Sequence, residues 1–220
     1  TYNMVEDSIS YPVRNIGSNK SPSNYLTHIS PFNPEERISV PSSDEALIQD
    51  AIRIAKQAQD KLAKTTLIER AKILNNFAGK LHDDREYLVK ATIIETGKPK
   101  RLAVAELEAA INFISPLTGL AVFRNGFVIP SGNPSRFVKT ERVPIGIAAL
   151  IVSFNTPLPN YAWKFAPSFL MGNISILKPS EHTPLTSSRF GEIFGDLVGN
   201  HEYLQILHGG HDTGRHLVHA

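Results

Sequence analysis

The sequence predicts an α/β protein in which a helical lead-in and one β-hairpin precede the first half of a doubly wound parallel sheet. Three observations predict it. Apolar residues recur at three- and four-residue steps behind polar residues placed as helix caps. A turn cluster, Pro130-Ser131-Gly132-Asn133-Pro134, separates two short β-rich runs. The last third alternates strand and helix patterns in the order β-α-β-α-β.

Residues 1–42 are rich in Ser, Asn and Pro and read as an arm with short extended pieces such as Arg37-Ile38-Ser39-Val40. Ser42 and Glu45 have capping-box spacing, and Leu47, Ala51, Ile54, Ala58 and Leu62 then mark one helix face. Thr66 with Glu69 repeats the box ahead of Leu67, Ala71, Leu74, Ala78 and Leu81. Asp83 with Glu86 opens a third helix, which Gly97 and Pro99 end. A fourth runs from about Lys100 to Ser115. Phe127-Val128-Ile129 and Arg136-Phe137-Val138-Lys139 flank the turn cluster as a hairpin of the kind that extends a sheet or meets another subunit. Ile145–Phe154 has almost no polar face, as a strand covered by helices on both sides requires. A crossover helix from Pro157 to Met171, a strand Ile174–Leu177, a helix from the N-cap Thr183 to about Val198, and a strand Tyr203–His208 follow. The boundaries fall at 1–125, 126–144 and 145–220.

Composition narrows the class. The 220 residues are 41% hydrophobic and 20% charged, a globular balance. Lys and Arg number 23 against 21 Asp and Glu, a net charge of +2, which argues against a dedicated nucleic-acid or anionic-membrane surface. The longest apolar run, Ile145–Val152, is far short of the roughly 20 residues that span a bilayer. No basic-then-apolar leader is visible, so a cytoplasmic protein without a membrane or nucleic-acid partner is expected. The chain opens on Thr1, so it reads as processed, trimmed or cut from something longer. There is no cysteine, which removes disulfides, thiolate metal sites and a thiol nucleophile from these residues.

Ligands of doubly wound sheets bind beyond the carboxyl ends of the strands, which singles out Asn155, Lys178 to Glu181, and Gly209-Gly210. A side-chain amide at Asn155 can donate N–H to an oxygen that becomes anionic; a turn asparagine ahead of Pro157 is the plainer alternative. Lys178 and Glu181 together can hold both hydroxyls of a ribose, and a carboxylate there repels a 2′-phosphate; a solvated ion pair is the plainer alternative. Gly209, Gly210 and Gly214 make neither a GxGxxG fingerprint nor a P-loop. His201, His208, His211, His216 and His219 crowd the end of the chain, yet no HExxH or carboxylate pattern accompanies them, and no metal is expected.

Taken together these residues are more specific than any alone. Arg142-Val143-Pro144-Ile145-Gly146-Ile147, Phe154-Asn155-Thr156-Pro157-Leu158, Ala162-Trp163-Lys164, Ala166-Pro167, Gly172-Asn173 and Lys178-Pro179-Ser180-Glu181-His182-Thr183-Pro184 resemble the aldehyde dehydrogenase superfamily. Glu95-Thr96-Gly97-Lys98-Pro99 and Asn33-Pro34 fit the same pattern. The resemblance implies a partial Rossmann-like coenzyme domain, an oligomerisation-type hairpin, and oxidation of a small aldehyde to a carboxylate with NAD favoured and NADP possible. It implies that Asn155 stabilises the oxyanion, that Lys178 and Glu181 hold the adenosine ribose, that Val152, Ser153 and Phe154 line the nicotinamide side, and that Gly210 lies near the adenine. Phe154 stands where many members carry tryptophan. A homo-dimer or homo-tetramer is implied for the full-length enzyme. The family's cysteine nucleophile and glutamate base are expected beyond the third strand, so the 220 residues alone are expected to be inactive; a non-enzymatic truncated product or pseudoenzyme is the alternative. Tyr203–His208 is expected to be left as an exposed edge strand.

Overall fold

The computed structural model describes residues 13–18, 20–123 and 126–220. The reading of residues 1–12 as an arm lies outside the described residues. Asn24–Ile29 (β1) and Arg37–Ser42 (β2) pair antiparallel, with Asn24 opposite Ser42 and Ile29 opposite Arg37. β1 is exposed apart from His28, which is why it carries no alternating apolar pattern.

Four helices follow: α1 (Glu45–Leu62), α2 (Leu67–Asp83), α3 (Arg85–Thr96) and α4 (Lys100–Thr118), the last closed by a 3₁₀ turn at Gly119–Val122. The apolar stripes face inward as expected, and Thr66 and Glu69 form the reciprocal capping box at the start of α2. Two caps differ from the sequence reading. The N-cap of α1 is Asp44, whose carboxylate accepts from Leu47 N–H at 2.9 Å, because Ser42 is committed to β2. The N-cap of α3 is Asp84 rather than Asp83, and it makes no capping bond. Its two oxygens instead accept from the guanidinium of Arg189 at 2.7 and 2.9 Å. Gly97 ends α3 in the left-handed region, at φ 69°, as the reading required.

β3 (Val128–Ile129) and β4 (Val138–Lys139) form the expected hairpin, and Phe127, Val128, Phe137, Val143 and Ile145 stand exposed along it. The remaining elements are β5 (Ile147–Ile151), α5 (Pro157–Leu170), β6 (Ile174–Lys178), α6 (Pro184–Val198), β7 (Leu204–Ile206) and α7 (His211–His219). The three strands form a parallel sheet in the order β5-β6-β7. β6, in the middle, is buried along its whole length.

The edges of this sheet invert one expectation. β7 is fully buried, and its outer edge is covered by the segment near the start of the chain. Ile16 exchanges two backbone hydrogen bonds with Ile206, at 2.9 and 3.0 Å, and the carbonyl of His208 accepts from Ser43 N–H at 2.8 Å. Among the described residues the open edge belongs to β5, which α1, α5 and α7 pack against but whose residues stay half-buried or exposed.

The core between sheet and helices is aromatic. Phe77 of α2, Tyr161, Phe165 and Phe169 of α5, and Phe190 and Phe194 of α6 are all fully buried. Most of their contacts are edge-to-face at centroid distances from 4.7 to 6.1 Å. Each such pair contributes about 0.5–1.5 kcal/mol beyond its area, so α2, α5 and α6 are fixed as one block that sets where β5 and β6 end.

Candidate active site

The strand ends converge. Val152 N–H donates to the carbonyl of Lys178 at 3.1 Å, which ties the end of β5 to that of β6. The ammonium of Lys178 donates to the carbonyls of Pro179 and Gly209, both at 2.7 Å, which ties β6 to the loop after β7. The ring of Phe154 meets His182 edge-on at 5.6 Å. The carboxyl ends of the three strands thus lead into Val152, Ser153, Phe154, Asn155, Lys178, Glu181, Gly209 and Gly210.

Their settings differ. Val152 is buried, whereas Ser153, Phe154 and Asn155 are exposed beyond it. Lys178 is only 5% exposed, so it is not half of a solvated pair. Burial lowers its pKa, and the charge of Glu181 opposes that. Gly209 has φ +145°, and a Cβ there would lie 2.0 Å from Thr213 Oγ1. Only glycine lets this backbone bring its carbonyl to Lys178. Gly210 is the less constrained neighbour and serves as the N-cap of α7.

Asn155 sits in a polar net. Its Oδ1 accepts from Ser153 Oγ at 2.6 Å and from Asn160 Nδ2 at 3.3 Å. Its backbone carbonyl accepts from the ammonium of Lys98, which also pairs with Glu106. Lys98, Glu106 and Asn160 were not singled out by the sequence reading. Lys98 was visible only as part of the Glu95–Pro99 stretch, and nothing local shows that it reaches a residue 57 positions away.

Behind the strand ends lies a buried polar layer. Thr183 is the N-cap of α6 by position, but its hydroxyl accepts from Tyr161 Oη at 2.9 Å and makes no capping bond. The free N–H groups of Leu185 and Thr186 donate instead to the carboxyl of Glu95 on α3, as does Thr186 Oγ1 at 2.8 Å. Burial pushes the Glu95 carboxyl up to about 8, against those donors. Burial likewise pushes the Tyr161 phenol up, with the nearby Glu95 adding to it. His208 is fully buried, with Nε2 3.0 Å from Ser188 Oγ, and burial holds its pKa down at about 3, helped by the charge of Lys178. The terminal histidines do not converge: His208 points into the core, while His211 lies exposed beside Asp212 at 3.3 Å. Among the described residues, no three His, Cys, Asp or Glu side chains are grouped to hold a metal, and no helix is long and apolar enough to cross a membrane.

The sequence matches the Aldehyde dehydrogenase family over residues 18–220. Among curated proteins it is 30% identical over 189 residues to malonate-semialdehyde dehydrogenase of Bacillus velezensis, a match covering 86% of this chain and 39% of that protein. It is 27% identical over 182 residues to 3,6-anhydro-α-L-galactose dehydrogenase of a Vibrio species, covering 83% of this chain and 38% of that protein. Among solved structures, betaine aldehyde dehydrogenase of Staphylococcus aureus in complex with NAD+ superposes with a TM-score of 0.84 at 26% identity, covering 90% of this chain and 41% of that one. A 3,6-anhydro-L-galactose dehydrogenase in complex with NADP gives a TM-score of 0.88 at 27% identity, covering 96% and 45%. The chain therefore spans less than half the length of the relatives it matches.

Proposed function

Because the chain belongs to the aldehyde dehydrogenase family, we propose that it forms the coenzyme-side part of an enzyme that oxidises a small aldehyde to a carboxylic acid with NAD or NADP. The observation that carries this reading is Asn155: an amide just beyond β5, with its oxygen occupied by Ser153 and Asn160 and its N–H groups left for an external oxygen. Such a donor acts where the carbonyl oxygen gains charge as a nucleophile adds to the aldehyde carbon.

The residues beyond β6 fit a dinucleotide. The ammonium of Lys178 has three N–H groups and the two carbonyls use two, leaving one for a ribose hydroxyl. Glu181, whose charge acts on Lys178, offers a carboxylate to the other hydroxyl and disfavours a 2′-phosphate, which supports NAD over NADP. When bound, the nicotinamide supplies the hydride acceptor. Val152, Ser153 and Phe154 border its side of the cleft, and Gly210 lies towards the adenine. The exposed apolar side chains of residues 126–144 support a role for the β3–β4 hairpin in pairing subunits, as a dimer or tetramer.

The chain contains no cysteine, so the thiol that adds to the aldehyde is not among these residues. The 220 residues alone are therefore a binding half without turnover, and this favours the second reading, a non-enzymatic chain, for any protein that consists of them only. In the complete enzyme, Asn155→Ala lowers kcat by about 10²–10³-fold, the usual loss for one oxyanion donor. An unchanged kcat refutes the assignment. Turnover of aldehyde and NAD by the purified 220 residues refutes the division of labour.

A further inference from the structure

The net around Asn155 has a direction. A side-chain amide is nearly symmetric in shape, but one end accepts and the other donates. Turned one way, Asn155 offers N–H to a developing anion; turned by half a circle, it offers a lone pair and repels it. Packing cannot choose between the two, because Asn155 is exposed and the ends are similar in size. Hydrogen bonding can. Asn160 Nδ2 donates both to Ser153 Oγ and to Asn155 Oδ1, each at 3.3 Å. Ser153 Oγ lies 2.6 Å from the same Oδ1. With one of its two lone pairs taken by Asn160, the Ser153 hydroxyl turns its one proton to the Asn155 oxygen 2.6 Å away. The three side chains close a ring in which every donor meets an acceptor. While Asn160 presents its Nδ2 to the ring, reversing the Asn155 amide would set its N–H groups against those of Asn160. The main chain is held separately, by the ammonium of Lys98 on the Asn155 carbonyl. That ammonium is charge-paired with Glu106, and both side chains are largely shielded, at 20% and 11% exposed.

We propose that Ser153 and Asn160 are positioning residues that lock the Asn155 amide with its N–H groups towards the substrate oxygen, while Lys98 fixes the backbone it hangs from. This rests on the assignment of Asn155 as the oxyanion donor. Neither residue needs to touch the aldehyde. Their contribution is to remove the reversed amide state, so its loss is felt where charge develops and not in ground-state binding.

The test is a double-mutant cycle in the complete enzyme. Ser153→Ala and Asn160→Asp each lower kcat by about tenfold, a larger factor than any change in the KM for NAD. Ser153→Thr, which keeps a hydroxyl donor, loses less kcat than Ser153→Ala. In an Asn155→Ala background, Ser153→Ala has no further effect, because it has nothing left to orient. Three results overturn the proposal: kcat within twofold of the parent for both single variants, a loss in Ser153→Thr as large as in Ser153→Ala, or an undiminished loss in the Asn155→Ala background. If Asn155→Ala itself leaves kcat unchanged, the oxyanion assignment falls and takes the proposal with it. If Asn155→Ala is impaired while Ser153→Ala and Asn160→Asp are not, only the positioning role falls. Ser153 is exposed and Asn160 half-buried, so neither substitution opens the core.

Discussion

Replacing Glu95 with glutamine removes a loss of stability that the parent suffers as pH rises from 4.5 to about 8. The carboxyl is 2% exposed and is raised from 4.5 to about 8 by burial. Between those values the folded chain holds a proton that the unfolded chain has released. Stability is therefore highest below 4.5, falls as pH rises, and levels off above about 8. Each unit in that window costs about 1.4 kcal/mol, and the whole excursion at most about 5 kcal/mol. Glutamine keeps the shape and one carbonyl for the N–H groups of Leu185 and Thr186, and it does not titrate. Urea unfolding at each pH from 5 to 9 measures the difference between parent and variant, from which all other titrating groups cancel. The variant should gain on the parent by up to about 1.4 kcal/mol per unit and then run parallel above pH 8. A difference that does not change with pH refutes the reasoning.

His208 supplies the opposite limb. Its pKa falls from 6.5 unfolded to about 3 folded, so its contribution is complete above 6.5 and is lost as pH drops towards 3. His208→Gln should flatten acid unfolding across that window, followed by circular dichroism; an unchanged acid midpoint counts against a neutral buried imidazole. Glu181→Gln should narrow the preference for NAD over NADP by lifting repulsion of the 2′-phosphate, read from the binding of each dinucleotide by calorimetry. Equal losses for both would mean that Glu181 does not discriminate between them.

What the sequence shows and what it hides divide by distance along the chain. The Thr66–Glu69 box, the Gly97 stop and the prolines opening α5 and α6 are decided within a few residues, and they stand where the pattern puts them. Asp44 outcompetes Ser42 only because β2 pairs with β1. Asp84 gives up capping for an arginine 105 residues away. Thr183 caps nothing because Tyr161 claims its hydroxyl and Glu95, 90 residues upstream of Leu185, takes over. β7 loses its free edge to Ile16, which no local periodicity could announce. The site divides the same way. The strand-end rule puts Asn155, Lys178 and Glu181 at or beyond the carboxyl ends of β5 and β6, because it needs only the element order. The chemistry of Lys98 and the direction of the Asn155 amide depend on side chains that meet only in the folded chain.

The edge of β5, open among the described residues, leaves a signature in time. Gly146 C=O and Val152 N–H both bond to β6. Since a residue's N–H and C=O face one neighbour and the side alternates, Ala148 and Leu150 also face inward, while the amides of Ile147, Ala149 and Ile151 face outward. Deuterium uptake along the strand is therefore a saw-tooth of period two, with slow even-numbered amides and fast odd-numbered ones. Any strand that closes this edge, from the same polypeptide or another, slows the odd teeth and leaves the even ones as they were. Three amides thus serve as a built-in gauge of whether the sheet has found its next neighbour.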